Sequence, residues 1–369
     1  MMGLAPNIYV LVVGRLVAGL GVGVTAMALP MYLAEVCPAP YRGRIITAYT
    51  FCITFGQLVS VLVCLALNGR WRWMFAASIF LAVIQLIGTI YCPESPRWLY
   101  GKGETDKAQS VILRLYMSDK TGSKDSVARE LESLRIENEE LAQSSYFSLV
   151  KELFTCNYRA MIVGAGLQAL QQLSGINTAM YYGPNIMQKA GYDSSGSEAL
   201  KASIPLFCVG VTGMFCAVLA IDKLGRRTLL LWTIPFMTLC LAGEAVGFYL
   251  LNYSPANSQL AGYLCVFFIT AYVGFFGLGL GPIPWAINAE IFPTHLRSIA
   301  NSFATATNWL FNVIVCMSFL SFTASNLGQV LAWATYCVFG VVTWVFVYTL
   351  VPETKGRSLD SILKQFKRS

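Results

Sequence analysis

The sequence carries little charge. Charged residues occupy 12% of its 369 positions, whereas roughly a quarter of the residues in an ordinary soluble protein are charged. Hydrophobic residues make up 56% and gather into recurring apolar runs. A helical run of about 20 residues crosses a hydrocarbon core about 30 Å thick. The shortage of charge excludes an ordinary cytosolic enzyme and predicts a multi-pass membrane protein, with the lipid bilayer as its surroundings.

Motifs of metal, redox and nucleotide chemistry are also missing. The sequence contains one histidine, His295, and no CxxC pair, HExxH, GxSxG or P-loop motif. Most of its 11 cysteines fall within apolar runs, which is typical of small packing residues. The net charge is +7, but lysine and arginine stand at the ends of apolar runs instead of forming a nucleic-acid surface. We therefore predict no enzyme activity, no cofactor, no metal and no nucleic-acid partner.

Nine apolar runs are long enough to be transmembrane helices. They cover residues 8–29, 45–67, 73–92, 161–182, 202–221, 228–250, 261–281, 299–321 and 331–350. Lysine and arginine predict the orientation, because they collect in cytoplasmic loops. Eleven of them lie on the side that holds the C-terminal tail, and four lie in the opposite loops. We expect the C-terminus to be cytoplasmic, together with the polar segment 93–160 and its short surface helices.

The chain matches itself at two places, as transporters with duplicated halves do. The run AEVCP at 34–38, followed by Arg42, recurs as AEIFP at 289–293, followed by Arg297, at an offset of 255. The run PES at 93–95 matches PET at 352–354, at an offset of 259. Similar offsets in the same order predict two parallel halves.

The two halves differ in length. The second contains six predicted spans and the first contains three, so we expect the first three spans of a twelve-span plan to be absent. The predicted domains are a partial N-terminal transmembrane domain of three helices (1–92), a cytoplasmic linker (93–160), a C-terminal six-helix transmembrane domain (161–351) and a short cytoplasmic tail (352–369).

Ionisable residues occur at span ends and, rarely, inside spans. Each copy of the first repeat places a glutamate and an arginine seven residues apart at a cytoplasmic span end. Such a pair can bridge neighbouring helix ends and latch one conformation, and ordinary interfacial charge is the alternative. Arg15 and Glu244 lie inside apolar runs, which makes them functional candidates. For Glu244 we favour a structural or water-facing role over proton coupling.

The fourth predicted span carries a polar stripe. Gln168, Gln171, Gln172 and Gly175 follow the spacing i, i+3, i+4, i+7, which places them on one helix face. A neutral amide both donates and accepts hydrogen bonds, as an uncharged polyhydroxylated ligand requires. Amide bonding between helices is the alternative. The stripe therefore predicts a binding face.

Other polar and aromatic residues of the spans extend this picture. They include Thr50, Gln57, Tyr181, Trp285, Asn308, Trp309 and Asn312. The run GPIPW at 281–285 must bend or break its helix, because proline removes a donor and clashes with the preceding turn. A bend of this kind is a plausible gate.

Taken together, the motifs resemble the sugar porter family of the major facilitator superfamily. They are QQLSGIN at 171–177, DxxGRR at 222–227, GPIPW at 281–285, PESPR at 93–97 and PETKGR at 352–357, and they stand in family order over essentially the whole chain. The resemblance implies an all-α membrane protein with the major facilitator fold. Such a protein has twelve helices in two domains, works by alternating access and holds its ligand between the halves. The nine predicted spans look like helices four to twelve.

The resemblance also implies roles for individual residues. The implied substrate ligands are Gln168, Gln171, Gln172, Asn177, Trp285, Asn308 and Trp309, with Gln57 matching a glutamine used in some members. The implied charge latch is Glu35, Arg42, Asp222, Arg226, Arg227, Glu290 and Arg297. In proton-coupled members an arginine at the place of Arg15 pairs with an aspartate on the first helix, so Arg15 is the coupling candidate. Gly210, Gly277 and Thr50 depart from the residues common in the family.

Within the family, GINT at 175–178 and NWLFN at 308–312 look most like the proton-coupled myo-inositol branch, with hexose carriers next. The expected function is secondary active transport of a neutral polyol or monosaccharide by proton symport, at the plasma membrane. A sugar-sensing receptor on the same scaffold is one alternative, although the short tail counts against it. A truncated, non-transporting fragment is the other. The sequence leaves the oligomeric state open.

Overall fold

A computed structural model describes residues 2–37, 41–117, 127–128, 131–136, 138, 145–189, 197–254, 258–293, 295–322, 325–357 and 361–363. Every regular element in these ranges is helical. In chain order the main helices are α1 (Ile8–Val36), α2 (Arg42–Ala66), α3 (Trp71–Tyr91), α4 (Pro96–Gly101), α5 (Thr105–Met117), α6 (Tyr146–Thr155), α7 (Tyr158–Leu173), α8 (Ile176–Lys189), α9 (Ser197–Ala202), α10 (Ile204–Leu224), α11 (Arg226–Tyr253), α12 (Ser258–Leu278), α13 (Ile283–Ile291), α14 (Arg297–Phe322) and α15 (Asn326–Leu350).

Eight helical segments in the described part of the chain are long and apolar enough to cross a membrane. They correspond to eight of the nine predicted spans. The remaining one, 161–182, is divided into α7 and α8, which have 16 and 14 residues. Neither piece crosses about 30 Å of hydrocarbon alone, because each residue advances a helix by about 1.5 Å. The count from continuous helices is therefore eight.

The division between α7 and α8 occurs at Gly175. Its backbone has φ +82°, a left-handed conformation that glycine adopts at little cost. The Gly175 N–H donates to the Gln172 carbonyl at 2.9 Å, which closes the end of α7. A Cβ atom at this position would lie 2.5 to 2.8 Å from three ring atoms of Tyr336 on α15. Glycine is therefore required both by the backbone and by the packing.

We expect Gly175→Ala to lower the thermal stability of the purified protein. The left-handed backbone costs a non-glycine residue roughly 1–2 kcal/mol, and the new methyl group must displace the Tyr336 ring. Unfolding followed by tryptophan fluorescence in detergent measures the effect. Gly19→Ala is the matched control, because a Cβ at Gly19 meets no atom within 4 Å. Equal stability of the two variants would contradict this account of the break.

The helices pack most closely in the second half of the chain. Helix α11 lies between α12 and α15, α10 packs against α12 and α2, and α14 packs against α7. The main hydrophobic core is built from these helices. In contrast, α1 and α3 expose apolar side chains such as Leu20 and Ile90, a surface suited to hydrocarbon rather than water. The contact of α2 with α10 is the most extensive of those that join the first three long helices to the rest.

The two sequence repeats make the same hydrogen bond. The Ser95 hydroxyl donates to the Glu35 carboxylate at 2.5 Å, and the Thr354 hydroxyl donates to the Glu290 carboxylate at 2.6 Å. Each bond joins the end of a helix, α1 or α13, to the motif that follows the second long helix after it. The internal match therefore extends from residue identity to side-chain geometry.

Candidate functional site

A cavity of about 210 Å³ lies between α2 and the helices of the second half. Seven of the eight predicted substrate residues line it, namely Gln57, Gln171, Gln172, Asn177, Trp285, Asn308 and Trp309. Its lining among the described residues contains no charged side chain. Because an ion in such a site would lack a counter-charge, the cavity suits a neutral ligand.

Gln168 is the predicted ligand that does not line the cavity. Its side chain is completely buried, and its Oε1 accepts a hydrogen bond from Asn308 Nδ2 at 2.6 Å. Gln168 precedes Gln171 by about one helical turn, and its side chain lies between α7 and α14. The structure therefore places Gln168 behind the site, where it orients Asn308.

The amides of the cavity wall are hydrogen-bonded to one another. Gln172 Nε2 donates to Asn308 Oδ1 at 3.0 Å. Gln172 Oε1 accepts from Asn177 Nδ2 at 2.5 Å and from Asn312 Nδ2 at 3.3 Å. Asn308 Nδ2 also donates to Gln171 Oε1 at 2.9 Å. Gln172 is thus the centre of a network that joins α7, α8 and α14.

Gln171 is held by the bend that precedes α13. Its Nε2 donates to the carbonyl oxygens of Leu280 and Gly281, each at 2.8 Å. The usual partner of the Leu280 carbonyl would be the N–H four residues later, and residue 284 is a proline without an N–H group. The GPIPW run therefore frees an acceptor that fixes a cavity amide.

The cavity lining also includes residues without a ligand role in the sequence prediction: Tyr49 and Thr54 are new, and Thr50, Tyr181 and Asn312 were named only as polar residues of the spans. Tyr49, Thr50 and Thr54 on α2 line the cavity beside Gln57, as do Tyr181 and Asn312. Thr50, Thr54 and Gln57 follow the spacing i, i+4, i+7, so a polar face on α2 is the signal that could have found them. Gly210 and Gly277 also line the cavity, and their lack of side chains widens it.

Two tyrosines fix the break between α7 and α8. The Tyr272 hydroxyl on α12 donates to the Ser174 carbonyl at 2.8 Å. The hydroxyls of Tyr336 on α15 and Thr178 on α8 lie 3.1 Å apart. Both pairs are buried. Helix α8, which carries Asn177 and Tyr181 into the cavity wall, is therefore tied to α15 one turn after the break.

We expect Tyr336→Phe to reduce the transport activity predicted from the sequence modestly and leave the fold intact. The ring still packs against Gly175, but Thr178 loses a buried hydrogen bond worth about 1 kcal/mol. Initial rates of uptake should fall about 2- to 5-fold if the orientation of α8 depends on this bond. Tyr263→Phe is the control, because Tyr263 on α12 is 65% exposed. Equal rates in both variants would show that α8 is oriented by other contacts.

The predicted charge latch is built around Arg226, at the start of α11. Its guanidinium contacts the Glu290 carboxylate at 2.8 Å and the Asp222 carboxylate at 3.3 Å. The same guanidinium packs against Gly43 on α2, leaving no room for a side chain there. The Arg226 side chain is 8% exposed. This ion pair therefore lies where the two halves meet.

The other latch residues occupy separate positions. Glu35 accepts from Ser95, Arg227 Nη2 donates to the Tyr348 carbonyl at 2.6 Å, and Arg297 is buried near the Phe292 carbonyl. The side chain of Arg42 lies outside the described residues.

Glu353, which was not assigned to the latch from the sequence, caps α11. Its carboxylate accepts from the backbone N–H groups of Arg226 and Arg227 at 2.9 and 3.1 Å. Helix N-termini leave such N–H groups unpaired and favour negative charge. The sequence signal that could have drawn attention to Glu353 was the match between PES at 93–95 and PET at 352–354. Glu353 thus fixes the backbone that presents Arg226.

Arg15 does not line the cavity, although it is close enough to interact electrostatically with Tyr181, which does. Arg15 is exposed on α1, in a groove with apolar neighbours that include Leu11, Leu16 and Leu20. The structure shows no ion pair to it within the described ranges. Its role in coupling stays a prediction.

Comparison with known proteins supports the reading of the motifs. Residues 1–366 match the family described as sugar (and other) transporter. The probable inositol transporter 2 of Arabidopsis thaliana is 31% identical over 100% of this chain and 77% of its own length. The human proton myo-inositol cotransporter is 31% identical over 98% of this chain and 68% of its own length.

The fold is similar to that of a solved transporter. The proton:xylose symporter XylE, bound to 6-bromo-6-deoxy-D-glucose, superposes with a TM-score of 0.76 and 27% identity, covering 96% of this chain and 74% of the XylE chain. XylE is the xylose transporter of E. coli and belongs to the major facilitator superfamily. These proteins are membrane transporters and not enzymes. This chain therefore belongs to the sugar transporter family and is a multi-pass membrane protein with the major facilitator fold.

Proposed function

We propose that this protein is a secondary active transporter of a neutral polyol or monosaccharide, with myo-inositol favoured and a hexose next, and that it works by proton symport. The observation that carries the proposal is the uncharged cavity, whose wall presents several side-chain amides and two indoles. The names of the inositol and xylose relatives support the substrate class and the coupling to protons.

The amides suit vicinal hydroxyl groups. Each amide can donate one hydrogen bond and accept another from the same ring. A hydroxyl that enters between Gln172 and Asn308 replaces their bond with two new ones. The indole N–H of Trp309 is buried without a partner in the described part of the chain, so it is a donor ready for a ligand oxygen. The apolar ring faces of Trp285 and Trp309 suit the C–H faces of a sugar.

The broken helix and the latch support alternating access. Helix α8 begins after a left-handed glycine beside the cavity, so it can tilt relative to α7 once the Thr178–Tyr336 contact separates. The Arg226–Glu290 ion pair lies at the start of α11, where the Arg226 guanidinium packs against Gly43 on α2. This contact joins the two halves. We propose that substrate binding moves α8, and that opening on the other side requires this pair to separate.

The architecture proposed for the chain follows the sequence predictions. Its nine spans, with α7 and α8 together counted as one, correspond in order to helices four to twelve of the twelve-helix plan. They form a partial N-terminal domain (1–92) and a six-helix domain (161–351). The linker (93–160), with α4, α5 and α6, lies in the cytoplasm with the tail (352–369) and the C-terminus. The plasma membrane is the proposed location.

Uptake by the full chain in proteoliposomes tests this function. We expect accumulation of radiolabelled myo-inositol under an inward proton gradient, competition by D-glucose, and loss of accumulation with a proton uncoupler. D-glucuronate, which carries a carboxylate, should compete poorly because the cavity offers it no cation. Equal competition by glucuronate would contradict the neutral site. Absence of uptake and exchange for both myo-inositol and glucose would overturn the proposed function in favour of a non-transporting fragment or a sensor.

A further inference from the structure

Glu244 differs from the other acidic residues near the spans. It lies in the interior of α11, 18 residues from Arg226 and nine from Tyr253, or roughly 27 Å and 14 Å along the axis. The carboxylates Glu35, Asp222 and Glu290 lie near helix ends, and each has a bonded partner. Glu244 is 1% exposed. Both of its oxygens are buried and make no hydrogen bond of ordinary geometry in the described part of the chain, although the backbone of Ile269 contacts the carboxyl.

The packing around Glu244 is close. Gly243 and Gly247 on either side of it let α12 approach α11, since a Cβ at Gly243 would lie 2.6 Å from the Phe268 ring and one at Gly247 would lie 2.7 Å from Cys265 Sγ. The carboxyl lies against the backbone of Ile269 on α12. Ile269 is four residues before Val273, which lines the central cavity. The carboxyl therefore sits in a buried interface about one turn of α12 from the cavity.

No cation compensates this carboxyl among the described residues. The titratable neighbours are thiols: Cys240 on α11 and Cys265 on α12. Helix α15 contributes Cys337, whose thiol contacts the Thr238 carbonyl of α11 at 3.7 Å. The charged groups that α10 and α13 bring to α11 are Asp222 and Glu290, and both contact Arg226 at its far end. Burying an unpaired carboxylate costs far more than burying the neutral acid, so this conformation holds the protonated form.

We propose that Glu244 is a proton-binding site of this protein, filled in this conformation and emptied when the α11–α12 interface opens to water. In the emptying step the carboxyl O–H bond breaks, the proton passes to water and the carboxylate remains hydrated. The inference rests on the proposed function in one respect: in a symporter, the proton released here is the coupled ion. It goes beyond the coupling candidate Arg15, which is a cation on α1.

Carbodiimide labelling tests the proton site without any transport assay. Dicyclohexylcarbodiimide is apolar and adds to a protonated carboxyl, whose proton moves to the reagent nitrogen as the carboxyl oxygen bonds to its carbon. In the purified full chain at neutral pH, mass spectrometry should find the adduct on Glu244 and none in Glu244→Gln. The exposed carboxylate of Glu198 is the internal control and should stay unmodified. An unmodified Glu244 in the folded protein would overturn the proposed site.

A transport experiment then separates coupling from translocation. In proteoliposomes, Glu244→Gln should lose proton-driven accumulation of myo-inositol by at least 10-fold and keep exchange of labelled for unlabelled substrate. Glu198→Gln should keep both. Full accumulation by Glu244→Gln would overturn the coupling role. Wild-type protein that neither accumulates nor exchanges substrate would instead overturn the proposed function, while the labelling result still decides the proton site. Glu244→Met, of similar size, guards against an effect of the introduced amide and should behave as Glu244→Gln.

Discussion

Replacing Gln172 with alanine is expected to lower the specificity constant for myo-inositol uptake about 100-fold, equivalent to about 2.7 kcal/mol. Two causes add. The ligand loses an amide that both donates and accepts, and three partners of Gln172 lose their bonds, namely the buried Asn308 and Asn312 and the half-buried Asn177. Buried polar groups without partners cost about 1–3 kcal/mol each. Initial uptake rates over a range of substrate concentrations measure the loss.

The matched control for this prediction is Gln188→Ala. Gln188 is an exposed glutamine on α8, the same helix that carries Asn177. Its removal changes composition and helix propensity without touching the network, so uptake should stay within about 2-fold of wild type. The amount of folded protein is followed by size-exclusion chromatography. Normal uptake by Gln172→Ala would remove the amide network from the substrate site.

Arg226→Ala is expected to nearly abolish transport and to destabilise the protein. Removing one partner of a buried ion pair leaves the other charge uncompensated, at a cost of about 3–5 kcal/mol. Here Glu290 loses its cation, and the contact of α11 with Gly43 on α2 is lost. The conformation in which the two halves meet at Arg226 should therefore become rarer. Thermal unfolding and uptake, measured on the same preparation, record both effects.

Asp222→Asn provides the comparison for the latch. Asp222 contacts the same guanidinium, but its side chain is 38% exposed, against 19% for Glu290. An exposed ion pair contributes about 0–1 kcal/mol, so Asp222→Asn should retain most of the uptake. We expect the order wild type, Asp222→Asn, Glu290→Gln, Arg226→Ala in decreasing stability. If the Asp222→Asn and Glu290→Gln variants lost equal stability, the burial of the carboxylate would not determine how much each ion pair contributes.

The site shows how far helical spacing predicts contacts. The stripe of Gln168, Gln171 and Gln172 was found from spacing alone, and two of the three residues line the cavity. Spacing places residues on one face of a helix but leaves open which part of that face meets a cavity and which part meets another helix. Gln168 meets Asn308 on α14, 140 residues away. That contact depends on the packing of α7 against α14.

The capping role of Glu353 illustrates a second limit. The sequence matched its motif to an earlier copy and so marked the region as a repeat. Its partners are the backbone N–H groups of Arg226 and Arg227, more than 120 residues away. Every residue except proline carries the same backbone N–H group, so a sequence pattern carries little signal for such a bond. The chain must first fold back before a carboxylate and a helix N-terminus can be recognised as a pair.

The sequence by itself determined the membrane-protein class, the positions of the long helices, the internal repeat and the family. These properties depend on local composition, on apolar runs matched to the bilayer and on short motifs, all of which are read along the chain. Tertiary structure alone decided that the fourth predicted span divides at Gly175, that the amides form one network, and that Glu244 is sealed between α11 and α12. Each of these depends on side chains from distant helices, such as Tyr336 against Gly175. The free energy of those contacts exists only when the helices are packed together.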